Sequence, residues 1–328
     1  MKAVYIKEFG GPENLEICQV ETPLVSEAKQ VLVNVKAAAL NRADILQRKG
    51  FYPAPSGYPE RIPGLEFAGE VAEVGPNVQR WRKGDRVFGI TAGGGQAEFV
   101  LTGEDQLAAI PGDLSFAEAA TFPEAFITAH DAVWTQGGLK PDETLLIHAI
   151  GSGVGLAALQ IAKAFGNRVF GTSRTQDKLD RCAEFGLDLP INTSDDPDFI
   201  EIVKKETGGK GVDVILDLVG ASYFEGNLQS LALKGRLMLV GLVGGRKAEL
   251  DMGIALAKRL HIIGTVLRAR SPEEKAEATE NFVADVLPLI AAGKIKPNLD
   301  RVFRADQVSA AHEHMESNQS FGKVVLEF

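Results

Sequence analysis

The stretch Leu145-Leu146-Ile147-His148-Ala149-Ile150-Gly151-Ser152-Gly153-Val154-Gly155 carries an apolar run into a glycine-rich turn, and apolar residues at helical spacing continue from Gly155 to Phe165. Strand, tight turn and helix in that order bring backbone N–H groups close to a pyrophosphate, and the helix N-terminus favours its charge. The residues placed to do this are Ser152, Gly153, Val154 and Gly155. The strict G-x-G-x-x-G spacing is not met, because Ile150 and Ser152 fill the first two glycine places when Gly155 takes the last. Such turns also occur without a ligand, so the flanking sequence has to decide. A second strand, Arg168 to Gly171, begins one helix length downstream and runs into Thr172-Ser173-Arg174. An NAD-selective site places an acidic residue about 20 residues past the glycines, on the ribose 2′-hydroxyl. Ser173 and Arg174 stand there instead, with Lys178 one helical turn beyond. A hydroxyl and two cations fit a 2′-phosphate, which makes NADPH the expected cofactor. The competing reading is a pair of solvated surface charges.

Outward from this stretch the two halves of the chain differ. Thr144 to Ala149, Arg168 to Gly171, Val212 to Val219, Arg236 to Leu242 and Ile262 to Leu267 read as strands, with helices such as Gly155 to Phe165 and Asp177 to Phe185 between them. Apolar strands alternating with helices imply an α/β fold with a parallel sheet covered on both faces. The first 120 or so residues are β-rich. Val31, Val33 and Val35 alternate with Leu32, Asn34 and Lys36; Glu70 to Val74 alternates again before the turn Gly75-Pro76-Asn77. With Arg86 to Ile90 and Ala97 to Leu101, these predict a small barrel or sandwich. Ser115 and Glu118 are spaced as a capping box at a helix start. Helices are expected over Ala276 to Ala292 and Val308 to Glu316. A final strand, Gly322 to Phe328, is expected to rejoin the β-rich domain and make it discontinuous.

Composition narrows the function classes. The chain has 328 residues, a length for two domains, and 35 Lys and Arg against 44 Asp and Glu give a net charge of −9. That balance disfavours nucleic-acid binding, which rests on cationic phosphate contacts. Two cysteines, Cys18 and Cys182, supply neither a disulfide framework nor a four-cysteine zinc site. No apolar leader follows Met1 and no run of 18 apolar residues occurs, so a soluble, cytoplasmic protein without a membrane partner is expected.

Several further stretches lie in order along nearly the whole chain: Leu40-Asn41-Arg42-Ala43-Asp44, Gln47 to Tyr52, Pro63-Gly64-Leu65-Glu66, Gly93 to Ala97, and Phe122-Pro123-Glu124-Ala125. Asp217 to Gly220, Tyr223, Gly241-Leu242, Leu267-Arg268 with Arg270, and Asn318 with Gly322-Lys323 follow. With these the chain resembles the medium-chain dehydrogenase/reductase superfamily, and within it the zinc-free quinone oxidoreductases of the zeta-crystallin-like group, tumour-suppressor-inducible branch. In the zinc-dependent members a cysteine loop and a Gly-His-Glu motif hold catalytic zinc; Asn41 and Leu65 occupy the matching places here. With neither thiolate nor imidazole in that stretch no tetrahedral zinc site assembles, and Asp44 and Glu66 are two carboxylates without a cage. No metal is expected.

The resemblance implies a GroES-like β-barrel domain, residues 1–122 completed by 269–328, and a Rossmann domain, a doubly wound parallel sheet over residues 123–268, that binds NADPH. It also implies a homodimer joined through the Rossmann edge strand, here Ile262 to Leu267. The implied reaction is reduction of a quinone or related electrophile. Carried over by position, Asn41, Asp44 and Tyr52 are the candidate catalytic residues, Asn41 as an amide donor to a developing oxyanion and Tyr52 as a stacking or donating phenol. Plainer roles compete: Asn41 and Asp44 as caps of a short helix through Arg42 to Arg48, and Tyr52 as packing. On the cofactor side the resemblance adds Thr128, Gly241, Leu242, Leu267 and Asn318, with a strand-end turn as the plain reading of Gly241. Two other functions stay open, an NADPH-dependent enone or enoyl reductase, and a non-catalytic NADPH-binding or RNA-binding protein.

Overall fold

Strand pairing starts at the first residues, where β1 (Lys2–Ile6) and β2 (Leu15–Gln19) form an antiparallel ladder. β3 (Gln30–Ala39) follows, and Val31, Val33 and Val35 are buried along it as their period-2 spacing requires. Leu32 and Ala37 to Ala39 are buried too, so this strand is covered more fully than a half-buried pattern implies. α1 (Arg42–Arg48), β4 (Glu66–Val74), β5 (Arg86–Ile90), β6 (Phe99–Gly103) and β7 (Leu107–Ala109) come next. The Ser115–Glu118 capping box forms at the head of α2 (Phe116–Ala119): the Ser115 N–H donates to Glu118 at 2.9 Å and the Glu118 N–H to Ser115 Oγ at 3.2 Å. α3 (Pro123–His130) follows it.

The computed structural model describes residues 1–194 and 198–328. It divides into a unit of Met1–Ile127, Leu267–Gly293 and Pro297–Phe328, and a unit of Thr128–Val266 with Lys294–Lys296. The second unit alternates strand and helix: β8 (Thr144–Ile147), α4 (Gly153–Ala164), β9 (Arg168–Ser173), α5 (Gln176–Cys182), β10 (Leu189–Asn192) and α6 (Phe199–Glu206). β11 (Val212–Asp217), α7 (Phe224–Ser230), β12 (Leu231–Leu239), α8 (Met252–Lys258) and β13 (His261–Gly264) complete it. All six strands are parallel in the order β10-β9-β8-β11-β12-β13. The winding reverses between β8 and β11, the point where doubly wound sheets bind ligands beyond their strand ends. Leu146, Phe170, Ile215 and Leu237 bury its core.

Two expected strands shift. The segment expected over Arg236 to Leu242 begins at Leu231 and ends at Leu239, because the chain beyond it turns back on β11 through Val240 and Gly241 N–H bonds to the Asp217 carbonyl. The expected Ile262 to Leu267 strand stops at Gly264, which leaves Leu267 outside the sheet.

The chain then returns to the barrel unit through α9 (Pro272–Asp285), α10 (Leu287–Ala291), β14 (Leu299–Arg304), α11 (Val308–Glu316) and β15 (Lys323–Glu327). The single helix expected over Ala276 to Ala292 is two helices. Pro288 lacks the N–H an interior position needs and sits at the start of α10 instead. β15 runs antiparallel to β3 and parallel to β14, giving the order β14-β15-β3-β4-β5-β7 with β6 also on β3. The last strand thus lies beside one of the first. Among the described residues no helix is long and apolar enough to cross a membrane.

Candidate active site

The glycine-rich turn leaves the carboxyl end of β8 beside β11. A Cβ on Gly155 would fall 2.6 Å from the Ile150 carbonyl, so only glycine lets α4 start this close to the turn. Ser152 caps that helix, its Oγ accepting the Gly155 N–H at 3.1 Å. Its hydroxyl therefore serves the turn, and the first amides of the helix are what the turn presents. Behind it lies a buried polar chain. His148 Nε2 donates to Asn227 Oδ1 at 2.6 Å, Asn227 Nδ2 donates to Asp217 Oδ2 at 3.0 Å, and Asp217 Oδ1 accepts the Val219 and Gly220 N–H groups at 2.7 and 2.8 Å. His148 Nδ1 accepts from the Thr172 hydroxyl at 2.9 Å. Burial pushes the His148 pKa down to about 4, so a neutral imidazole joins β8, β9 and β11 under the turn. Asp217 is thereby a structural residue at the end of its strand.

At the end of β9, Ser173 is buried and its Oγ accepts the Thr175 N–H at 3.2 Å. Arg174 is exposed and Lys178 half-exposed, with no acidic side chain in the segment Thr172 to Gln176. Gly241 does not offer its N–H outward: that group donates to the Asp217 carbonyl at 3.1 Å, and a Cβ would lie 2.4 Å from the Leu218 carbonyl. The Leu242 carbonyl accepts the Gly245 N–H, and the Leu242 side chain is exposed. The close turn is thus what requires Gly241. Thr128 is half-buried on α3 and Leu267 is buried. Asn318 has φ of 58°, and its Oδ1 accepts from Arg42 at 2.8 Å.

The barrel unit gathers a second polar cluster. Glu66, fully buried at the start of β4, accepts Asn41 Nδ2 at 2.9 Å, the Glu124 N–H at 2.8 Å and the Lys323 ammonium at 2.5 Å. Lys323 also donates to Asn41 Oδ1 at 2.6 Å and to the Leu40 carbonyl at 2.8 Å. A carboxylate can only accept and an ammonium only donate, which fixes the Asn41 amide orientation. One amide hydrogen of Asn41 is therefore committed to Glu66, and the other is what remains for an acceptor oxygen. Asp44 holds the cap: its carboxylate accepts the Asn41 N–H at 2.7 Å and the Gly64 N–H at 2.9 Å. Asn41 does not cap with its side chain. Burial pushes Asp44 up to about 6, against those two N–H bonds and the charges of Arg268 and Lys323. It is an orienting group, not a donor.

Tyr52 lies beneath Arg268, whose guanidinium carbon stands 4.9 Å from the ring centroid. Arg268 donates to the Ala92 carbonyl at 2.8 Å, the Tyr52 carbonyl at 3.1 Å and Gln47 Oε1 at 2.6 Å, which pins the loop carrying Tyr52. Burial raises the Tyr52 pKa, Arg268 opposes this, and Glu124 adds to it. The phenol keeps its proton. Sequence reasoning left Glu66, Glu124, Arg268, Lys275 and Lys323 without roles. The available signal was a lone lysine opening an apolar last strand and the arginine directly after Leu267; Lys275, in an acidic helix, reads as an ordinary surface residue. Among the described residues no three His, Cys, Asp or Glu side chains are placed to hold a metal ion.

Residues 27–132 match the alcohol dehydrogenase GroES-like domain, and residues 153–284 match the zinc-binding dehydrogenase domain. The quinone oxidoreductase of Lama guanicoe is 33% identical over 328 residues, covering 99% of this chain and 97% of that one. The chain belongs to the quinone oxidoreductase family. A solved quinone oxidoreductase of Escherichia coli in complex with NADPH superposes with a TM-score of 0.88 at 31% identity, covering both chains fully. A structure of an NAD-dependent alcohol dehydrogenase gives 0.86 at 34%, again over both full chains. The α/β architecture with a parallel Rossmann-type sheet and a GroES-like unit is the one this family shares.

Replacing Lys323 with methionine would leave Glu66 buried without its cation. Removing one partner of a buried pair costs about 3–5 kcal/mol, so Lys323→Met is expected to lower the unfolding free energy from urea denaturation by that amount and the midpoint with it. An unchanged midpoint would show that Glu66 has another source of compensation.

Proposed function

We propose that this protein reduces quinones with NADPH and without zinc. The observation that carries the reading is an amide and an alkyl group, Asn41 and Leu65, at the places where zinc-dependent relatives hold metal, in a chain aligned end to end with quinone oxidoreductases. A quinone is already electrophilic, so its reduction needs orientation and charge stabilisation more than a Lewis acid. Bound NADPH supplies the hydride. The α4 N-terminus, with Gly153 and Val154 at its head and Gly155 allowing its close start, would take the pyrophosphate. Arg174 and Lys178, with Ser173 in place of an acidic residue, would take the 2′-phosphate. Thr128, Leu267 and Asn318 are assigned to the cofactor by position. The Tyr52 ring, held by Arg268, would stack on a planar acceptor, and the second Asn41 amide hydrogen would meet its oxygen. Two free cysteines, Cys18 and buried Cys182, agree with a reducing, cytoplasmic setting.

A homodimer is part of the same reading. Among the described residues β13 pairs only with β12 and so presents an open edge. Beside it, Met252 and Leu256 are 70% and 77% exposed, around a depression of about 450 Å³ lined also by Ala255, Arg259 and Leu260. An apolar patch at an unpaired sheet edge supports self-association. Sedimentation should give twice the chain mass for the native protein and a single chain mass for Leu256→Lys combined with Ile262→Lys; a native monomer removes the idea.

Turnover of ortho- and para-quinones with NADPH should survive EDTA unchanged, with an enone in the same panel distinguishing the enoyl-reductase alternative. Activity lost to EDTA and restored by zinc would overturn the zinc-free reading. Arg174→Ala should raise KM for NADPH about tenfold, the scale of one charge-assisted hydrogen bond, while leaving NADH kinetics alone. Equal kcat/KM for both cofactors in the native enzyme would refute the 2′-phosphate assignment.

A further inference from the structure

Two side chains of the barrel unit differ from their neighbours in what they do not touch. Lys275, on α9, is only 3% exposed, and its ammonium makes no hydrogen bond or ion pair with any described residue; it meets the Tyr58 ring, 5.5 Å from the centroid. A buried lysine without a counterion is rare. Glu124 engages Glu66 through its backbone N–H alone, its carboxyl bonds to no described residue, and the residue keeps partial solvent access. Every other charge around it is committed. Glu66 is paired with Lys323 and Asn41, Asp44 holds two N–H groups, and Arg268 holds two carbonyls and Gln47. Tyr52 and Lys275 both sense the charge of Glu124, which places the three groups in one neighbourhood.

Burial and the adjacent Glu66 carboxylate push Glu124 up to about 8, with Asp44 adding and Lys323 and Arg268 opposing. Lys275 on α9 and Tyr52 on its loop complete the titratable groups that face it. At neutral pH the cluster therefore holds a carboxylic acid with a proton to give, beside a lysine whose pKa burial lowers and the charge of Glu124 raises. That combination fits an oxygen that becomes negative during reaction.

Resting on the quinone-reductase reading, we propose that Glu124 protonates the acceptor oxygen as the quinone is reduced, while Lys275 holds the negative charge that develops there. One hydride and one proton convert quinone to hydroquinone. The hydride brings both electrons and forms one new bond to the acceptor. The Glu124 O–H bond breaks and its proton forms the second new bond, on the charged oxygen. The nicotinamide is left oxidised, and water returns a proton to the Glu124 carboxylate.

An acid that must carry its proton gives full activity below its pKa and loses it above. With a para-quinone the native kcat should be level up to about pH 8 and then fall. Glu124→Gln should lower kcat about 100-fold and abolish the alkaline fall, while NADPH affinity, read by nucleotide fluorescence, is unchanged. Glu124→Asp should restore the alkaline limb, and Lys275→Met should lower kcat with that limb retained. A Glu124→Gln enzyme matching the native rate and profile overturns the proposal. A native enzyme that binds NADPH yet reduces no quinone overturns the functional reading instead. The infrared difference between native and Glu124→Gln protein reports on Glu124 alone: a carboxylic-acid carbonyl band at pH 7 is expected, and its absence overturns the assignment whatever the activity.

Discussion

Glu66 is a carboxylate with no access to water, and the barrel unit is arranged around its satisfaction. Its partners come from three places in the chain: Asn41 between β3 and α1, Glu124 at the start of α3, and Lys323 at the head of β15. A buried ion pair gives little net stability, because desolvation offsets the Coulomb attraction. What it supplies is register. β15 can sit beside β3 only where Lys323 reaches Glu66, Asn41 and the Leu40 carbonyl together, and a slip of one residue would turn the ammonium to the other face. The same contact fixes Asn41 as the cap residue of α1, which in turn lets Asp44 hold the Gly64 turn.

The legible parts of the sequence were those whose signals are local. Period-2 valines gave β3, the Ser115–Glu118 spacing gave the start of α2, and Gly155 marked where a helix must begin against a backbone carbonyl. The phosphate-type turn was placed correctly even though Ile150 and Ser152 break its consensus, because backbone geometry, not the missing glycines, makes the turn. What the sequence hid is tertiary. Glu124 reads as an acid in the first turn of a helix, and Lys275 as one charge among several on an acidic helix. Their interest arises only when β4, β15 and the Tyr52 loop close in and remove every alternative partner. Gly241 is a mixed case: its N–H meets the Asp217 carbonyl and a Cβ would meet the Leu218 carbonyl, as a strand-end turn requires.

The two polar clusters are built on opposite principles. Under the phosphate-type turn, every donor from His148 to Asp217 finds an acceptor, and the imidazole is kept neutral; such a closed chain holds strands in place and leaves nothing for chemistry. In the barrel unit the inner groups close in the same way, but the outer pair, Glu124 and Lys275, is left open. A folded chain retains a buried unpaired group such as Lys275 at a cost, and such groups cluster where a ligand completes the set.

The charge pattern also bears on the zinc-free reading, under which Asn41 and Leu65 stand where zinc-dependent relatives hold metal. A divalent ion needs ligands that bring negative charge or lone pairs, and Glu66 is the nearest candidate. Here Lys323 already sits 2.5 Å from that carboxylate and also holds the Asn41 amide oxygen. A cation entering the same place would have to displace an ammonium from two of its acceptors, with Leu65 giving no compensating bond. The positive charge beside Glu66 is therefore the fixed ammonium of Lys323. It cannot act as a Lewis acid, since an ammonium has no open coordination position. What it does is occupy acceptors on Glu66 and Asn41, while burial first and the adjacent Glu66 carboxylate second raise the pKa of Glu124. The acid proposed at Glu124 thus stands beside a carboxylate whose other partners are an ammonium and an amide.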